Sequence, residues 1–105
     1  MIRLLLLSAC LLPFTTHAQR SAEEQLASAR EAYGIDSLRI ALAHADSALQ
    51  LDATIDGGYK LRGDIKQRQR NFHGALLDYT RAEKQDPDDA VSYTHLDVYK
   101  RQVHC

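Results

Sequence analysis

A shift of 34 residues lays the middle of this chain on itself. Ala41 falls on Ala75, Ala48 on Ala82, Asp52 on Asp86 and Ala53 on Pro87. The small residues keep their spacing within each copy, in Ala41-Leu-Ala-His-Ala-Asp-Ser-Ala48 and in Ala75-Leu-Leu-Asp-Tyr-Thr-Arg-Ala82. A period of this length restricts the architecture, because each copy must be one supersecondary unit that buries its apolar face on a neighbour. The kind of unit follows from the apolar residues, 45% of the chain, which are mostly Ala and Leu with no Trp. That mixture favours helices over strands.

The periodicity predicts helices near 21–33, 37–51, 58–69 and 72–85. Ala41, Ala48, Ala75 and Ala82 let helices approach closely, since interaxial distance follows side-chain size at the crossing. Tyr59, Phe72 and Tyr79 supply the large surfaces that fill the gaps, about 150–250 Å² each. Asp36 and Asn71 are the expected N-caps of the second helix in each pair. Gly57-Gly58 and Asp86-Pro87-Asp88-Asp89 are the expected breaks. The expected fold is all-α, two stacked helical hairpins forming the N-terminal piece of a longer solenoid.

The second copy, Asp56 to Asp89, resembles the tetratricopeptide repeat family, whose unit is a helix-turn-helix of this period. Tyr59 stands where the family usually has Trp, and Gly63 at its glycine. Phe72, Ala75, Tyr79, Ala82 and Pro87 follow at the family's spacings. The first copy, Ala22 to Ile55, has Ala29 for the glycine, Ala45 for the aromatic and Ala53 for the closing proline. Arg62 and Lys66 depart from the pattern, standing where a leucine and an aromatic are usual. In this family the first helix of each pair lines a concave surface. The resemblance therefore implies a groove lined by Lys60, Asp64, Gln67 and Arg68, with Glu23, Leu26, Arg30 and Tyr33 from the first copy. Lys60 and Arg68 would pair there with carboxylates of an extended peptide, Arg by a two-pronged hydrogen bond. The family's clamp for C-terminal carboxylates uses Lys and Asn. Asp64 sits where an Asn would be needed, so that specificity does not carry over.

Both ends look foreign to the repeats. Met1-Ile2-Arg3 is a short basic start, and Leu4 to Phe14 is an apolar run too short to span a bilayer, which takes roughly 20 residues as a helix. Thr16-His17-Ala18 resembles the cleavage site of a secretory signal peptide, so 1–18 would be removed and Gln19 would begin the mature chain. A second reading takes Leu7-Ser8-Ala9-Cys10 as a bacterial lipobox, which would anchor the protein to a membrane through Cys10. At the other end, Val91 to Gln102 resembles the in-frame translation of a sequencing adapter, a transposase mosaic end joined to its reverse complement. The repeat would begin with CT closing the preceding codon, which limits that residue to Ser, Pro, Thr or Ala, and it is Ala90. Residues 91–105 are therefore expected to be an artefactual tail. Its His95, Asp97, His104 and Cys105 are accordingly not read as a metal site.

Gln19 to Ala90 then form the expected natural part, with 10 basic and 13 acidic residues, a formal charge of −3 and no cysteine. Such a charge provides no field for gripping nucleic acid or an anionic membrane. Lys60, Arg62, Lys66, Arg68 and Arg70 concentrate on one predicted helix, but nucleic-acid binding would need stacking aromatics beside them. The nearby Tyr59 and Phe72 belong to the repeat core. His44 and His73 have no nucleophile or carboxylate at a catalytic spacing. Asp86, Asp88 and Asp89 lack the central glycine and terminal glutamate of a calcium loop. No enzyme, cofactor or metal is expected. The reading is an exported bacterial interaction module, periplasmic or secreted, that binds an unidentified protein or peptide. The alternative is the N-terminal extension of a larger envelope sensor kinase or hydrolase.

Overall fold

The computed structural model describes residues 17–87. The expected leader, including Cys10, and the expected tail lie outside the described residues, apart from His17 and Ala18. Four α-helices and no strand occur among the described residues: α1 (His17–Gly34), α2 (Leu38–Leu51), α3 (Gly58–Arg68) and α4 (Phe72–Gln85). They form two helix-turn-helix pairs, α1 with α2 and α3 with α4, and α2 stacks on α3. The all-α hairpin arrangement is the expected one. Helix α1 begins four residues earlier than the sequence pattern suggests, because His17-Ala-Gln-Arg20 contains no breaker and continues the Ala- and Glu-rich stretch.

The repeat is reproduced in the turns, bond by bond. Ser37 N donates to Ala32 O at 2.8 Å and Asp36 N to Tyr33 O at 3.1 Å. Thirty-four residues later, Asn71 N donates to Lys66 O at 2.8 Å and Arg70 N to Gln67 O at 2.9 Å. Each pair is a Schellman closure, which satisfies the last carbonyls of the first helix and places one residue in the left-handed region. Those residues are Asp36 (φ 62°) and Arg70 (φ 66°). The next residue in each turn starts the second helix: Ala41 N donates to Ser37 O at 2.9 Å and Ala75 N to Asn71 O at 3.0 Å. Asn71 also caps with its side chain, accepting from Gly74 N at 3.1 Å. Asp36 is not an N-cap. The Schellman closure of α1 claims it for the left-handed position, and Ser37 occupies the cap without a side-chain bond.

The connection between hairpins is tied down locally. Asp52 Oδ1 accepts from Thr54 N at 3.0 Å and from Thr54 Oγ1 at 2.8 Å. Ile55 turns inward and is buried. Gly57 then adopts φ 79° as the N-cap of α3, a conformation that costs a glycine little.

The core differs between the hairpins in a complementary way. Ala22, Leu26 and Ala29 of α1 pack in one buried cluster with Ala41, Ala45 and Ala48 of α2. In the second hairpin the place of Ala45 is taken by Tyr79, only 1% exposed. The place of Ala29 is taken by Gly63. A β-carbon on Gly63 would lie 2.8 Å from Cε1 of the Tyr79 ring, so the ring occupies the space that the glycine leaves. Ala75 and Ala82 are buried beside Tyr79, Tyr59 and Phe72 are partly buried, and Pro87 is exposed beyond the end of α4.

This contact generates a prediction. Gly63→Ala should cost about 1–3 kcal/mol through overpacking against the ring. In a Tyr79→Ala background the same change should instead gain about 0.5–1 kcal/mol, because alanine is the better helix former. Urea unfolding followed by circular dichroism, with a stabilising osmolyte in all samples, measures the cycle. Equal cost in both backgrounds would show that glycine and ring are independent.

Candidate functional site

Helix α3 carries the basic run, and its geometry decides where those charges go. Arg62 and Lys66 are one turn apart and both reach Asp78 of α4, which has no solvent exposure. Arg62 binds that carboxylate with two prongs, Nε to Oδ2 at 2.9 Å and Nη2 to Oδ1 at 2.8 Å. Lys66 Nζ lies 3.0 Å from Oδ2, and Arg81 Nη1 lies 3.4 Å from Oδ1. The remaining prong of Arg62 crosses to the first hairpin, where Nη1 donates to Asp46 Oδ1 at 3.1 Å. The hydrogen bonds to Asp78 hold the Arg62 guanidinium above its ordinary pKa, outweighing the burial that would lower it. Arg62 and Arg81 also lie over the Tyr59 ring, at 5.5 and 5.7 Å from its centroid. Arg62 and Lys66, both on α3, are thus held by one buried carboxylate in the same hairpin. In the first hairpin the position of Asp78 is held by His44, whose Nδ1 lies 2.7 Å from Gln25 Oε1 of α1.

The eight residues expected to form a groove separate into those that line a concavity and those that do not. Arg30, Lys60 and Asp64 line a cleft of about 360 Å³, together with Asp56, Gln85 and Asp86. A second concavity of about 310 Å³ adjoins it, lined by Glu23, Leu26, Asp52 and Ile55 among others, and the two share Arg30 and Asp56. The combined groove follows the connection between the hairpins and reaches the end of α4.

Tyr33, Gln67 and Arg68 line neither concavity. The Arg68 guanidinium stacks 4.1 Å above the Tyr33 ring centroid, and Nη1 donates to Tyr33 O at 3.2 Å. It also lies 3.6 Å from Asp36 Oδ1. Arg68 is therefore engaged in joining α1 to α3. Gln67 Oε1 accepts from the Tyr79 hydroxyl at 3.0 Å, and that hydroxyl also donates to Asp64. Burial of the Tyr33 ring, reinforced by the Asp64 carboxylate, pushes its phenol up from the ordinary value against the pull of Arg68.

Sequence reasoning missed Asp78 and Asp46 as partners of the α3 cations, Arg81 as a further cation on Asp78, and Asp56, Gln85 and Asp86 as groove walls. One signal was available. Asp78 lies on the same helical stripe as Ala75 and Ala82, so a carboxylate there must be buried with a partner. Among the described residues no helix is long and apolar enough to cross a membrane, and no three His, Cys, Asp or Glu side chains are grouped to hold a metal ion. No family model matches the chain, and no curated protein or solved structure matches it.

The two carboxylates on Arg62 should differ sharply in weight. Asp78→Ala strands two largely buried cations and should cost about 3–5 kcal/mol, enough to abolish cooperative unfolding in a domain this small. Asp46 is 46% exposed at the side chain, and Asp46→Ala should cost less than about 1 kcal/mol. Thermal denaturation of the two variants measures this; equal, small losses would show that the Asp78 network contributes nothing to folding.

Proposed function

We propose that this chain is a non-catalytic interaction module of the tetratricopeptide type. It is exported from a bacterial cell and binds an extended segment of a partner protein in the groove between its hairpins. The observation that carries the reading is the pair of adjoining concavities joined at Arg30 and Asp56. A continuous trough beside stacked helical hairpins suits a ligand that is long and thin rather than a compact small molecule. The repeated turn geometry supports the family resemblance, since the same closure recurs after one period. The charged side chains away from the trough serve structure: Arg62 and Lys66 hold Asp78, and Arg68 holds Tyr33.

Two measurements test the reading. A photo-crosslinking residue at Gln85, on the groove wall, should give discrete adducts in a bacterial envelope preparation. The same residue at exposed Gln50, on α2 and outside both concavities, should not. Equal adduct patterns from both positions would contradict a groove. N-terminal sequencing of the chain recovered from an exporting host should begin at Gln19. An unprocessed chain beginning at Met1 in the cytoplasm would contradict export.

A further inference from the structure

The groove's charge is opposite to what the basic run on α3 suggests. Five carboxylates line the two concavities: Glu23, Asp52, Asp56, Asp64 and Asp86. Among the described residues they face two cationic side chains, Arg30 and Lys60. The other cations of α3, of which Arg68 alone was expected to meet an acidic peptide, are turned elsewhere. Arg62 and Lys66 are held on Asp78, and Arg68 lies over Tyr33. The groove carboxylates are not neutralised in return. Asp52 is occupied by neutral donors from Thr54, and Asp64 by the Tyr79 hydroxyl. None of Glu23, Asp56 and Asp86 is ion-paired with a described residue.

We infer that the occupant of this groove is a cationic extended segment of a partner protein, one carrying Lys or Arg side chains spaced along a strand-like backbone. The inference rests on the groove reading above and specifies its ligand. The argument is charge complementarity. Acidic walls around a concave trough concentrate the field on an incoming cation and repel an acidic peptide. The carboxylates are spread along both concavities, with Glu23 and Asp52 in one, Asp64 and Asp86 in the other and Asp56 shared. An extended chain advances about 3.3–3.6 Å per residue and presents side chains to alternate sides, so spaced cations can meet successive carboxylates. Arg30, at the junction, offers a guanidinium to a backbone carbonyl or a carboxylate of the same segment. The acidic peptide suggested by Lys60 and Arg68 does not suit these walls.

The test titrates the full-length, isotope-labelled chain with three synthetic peptides of about eight residues, each at most ~3.5 Å long per residue. One alternates Lys and Arg with Gly and Ser, one carries Glu at the same positions, and one is neutral. The cationic peptide should shift the amide resonances of residues 23, 52, 56, 64 and 86 saturably, and weaken as salt shortens the Debye length. Asp56→Asn with Asp86→Asn should weaken it about tenfold, while Glu24→Gln with Glu31→Gln, exposed outside the groove, should leave it unchanged. Tighter binding of the Glu peptide at the same resonances would overturn the charge assignment and leave the groove standing. Equal loss from both double variants would overturn the inference as nonspecific attraction. A failure of all three peptides to perturb the groove would overturn the groove reading itself.

Discussion

A carboxylate removed from solvent must find its counter-charges inside the fold, and Asp78 finds three. Arg62 grips it with two prongs, Lys66 approaches from the next turn of α3, and Arg81 approaches from its own helix. The remaining prong of Arg62 extends to Asp46 of α2, so one guanidinium touches both hairpins. Burying an ion pair costs desolvation that its attraction only partly returns. What the network provides is therefore orientation: the two α3 cations and the α4 carboxylate meet in one register of the pair. It also draws Arg62 and Lys66 away from the surface, which leaves carboxylates in the majority among the charged residues described in the groove.

The two hairpins reach the same backbone by different side-chain solutions. The turns are superimposable in their hydrogen bonds, and their left-handed residues are Asp36 and Arg70. The interiors are not. One hairpin closes with Ala29 and Ala45, the other with Gly63 and Tyr79, so volume lost on one helix is recovered on the other. His44 bound to Gln25 in the first hairpin is replaced by Asp78 bound to Arg62 in the second. In both, this position carries a polar contact that crosses between the paired helices. Close packing leaves little room for changing one partner alone, which is why the differences come in pairs.

What could be read from sequence was what repeats. Spaced alanines and the Gly57-Gly58 and Asp86-Pro87 breaks located all four helices, with boundaries displaced by at most four residues, at the start of α1. The turns were less legible, because Asp36 and Arg70 occupy a position where glycine is the usual signal, and Asp36 looks like a cap. The charge network was hidden for another reason. Arg62 and Lys66 are separated from Asp78 by 16 and 12 residues, and each alone reads as a solvated side chain on an amphipathic helix. The groove was half legible. Glu23, Leu26, Arg30, Lys60 and Asp64 were implied by the family resemblance, but Asp56 and Asp86 lie in connections whose path only the folded backbone defines.

The central claim is that Arg62, Lys66 and Asp78 act as one buried unit, so they must be exchanged together. The direct measurement compares chemical denaturation of Asp78→Leu with that of the triple variant Asp78→Leu, Arg62→Leu, Lys66→Tyr. The single variant leaves buried cations without a partner and should lose about 3–5 kcal/mol. The triple variant places apolar and aromatic residues at the facing positions and should match or exceed the parent, by up to about 4 kcal/mol. A triple variant no more stable than the single one would contradict the account, because it would show that the three residues do not act as a unit.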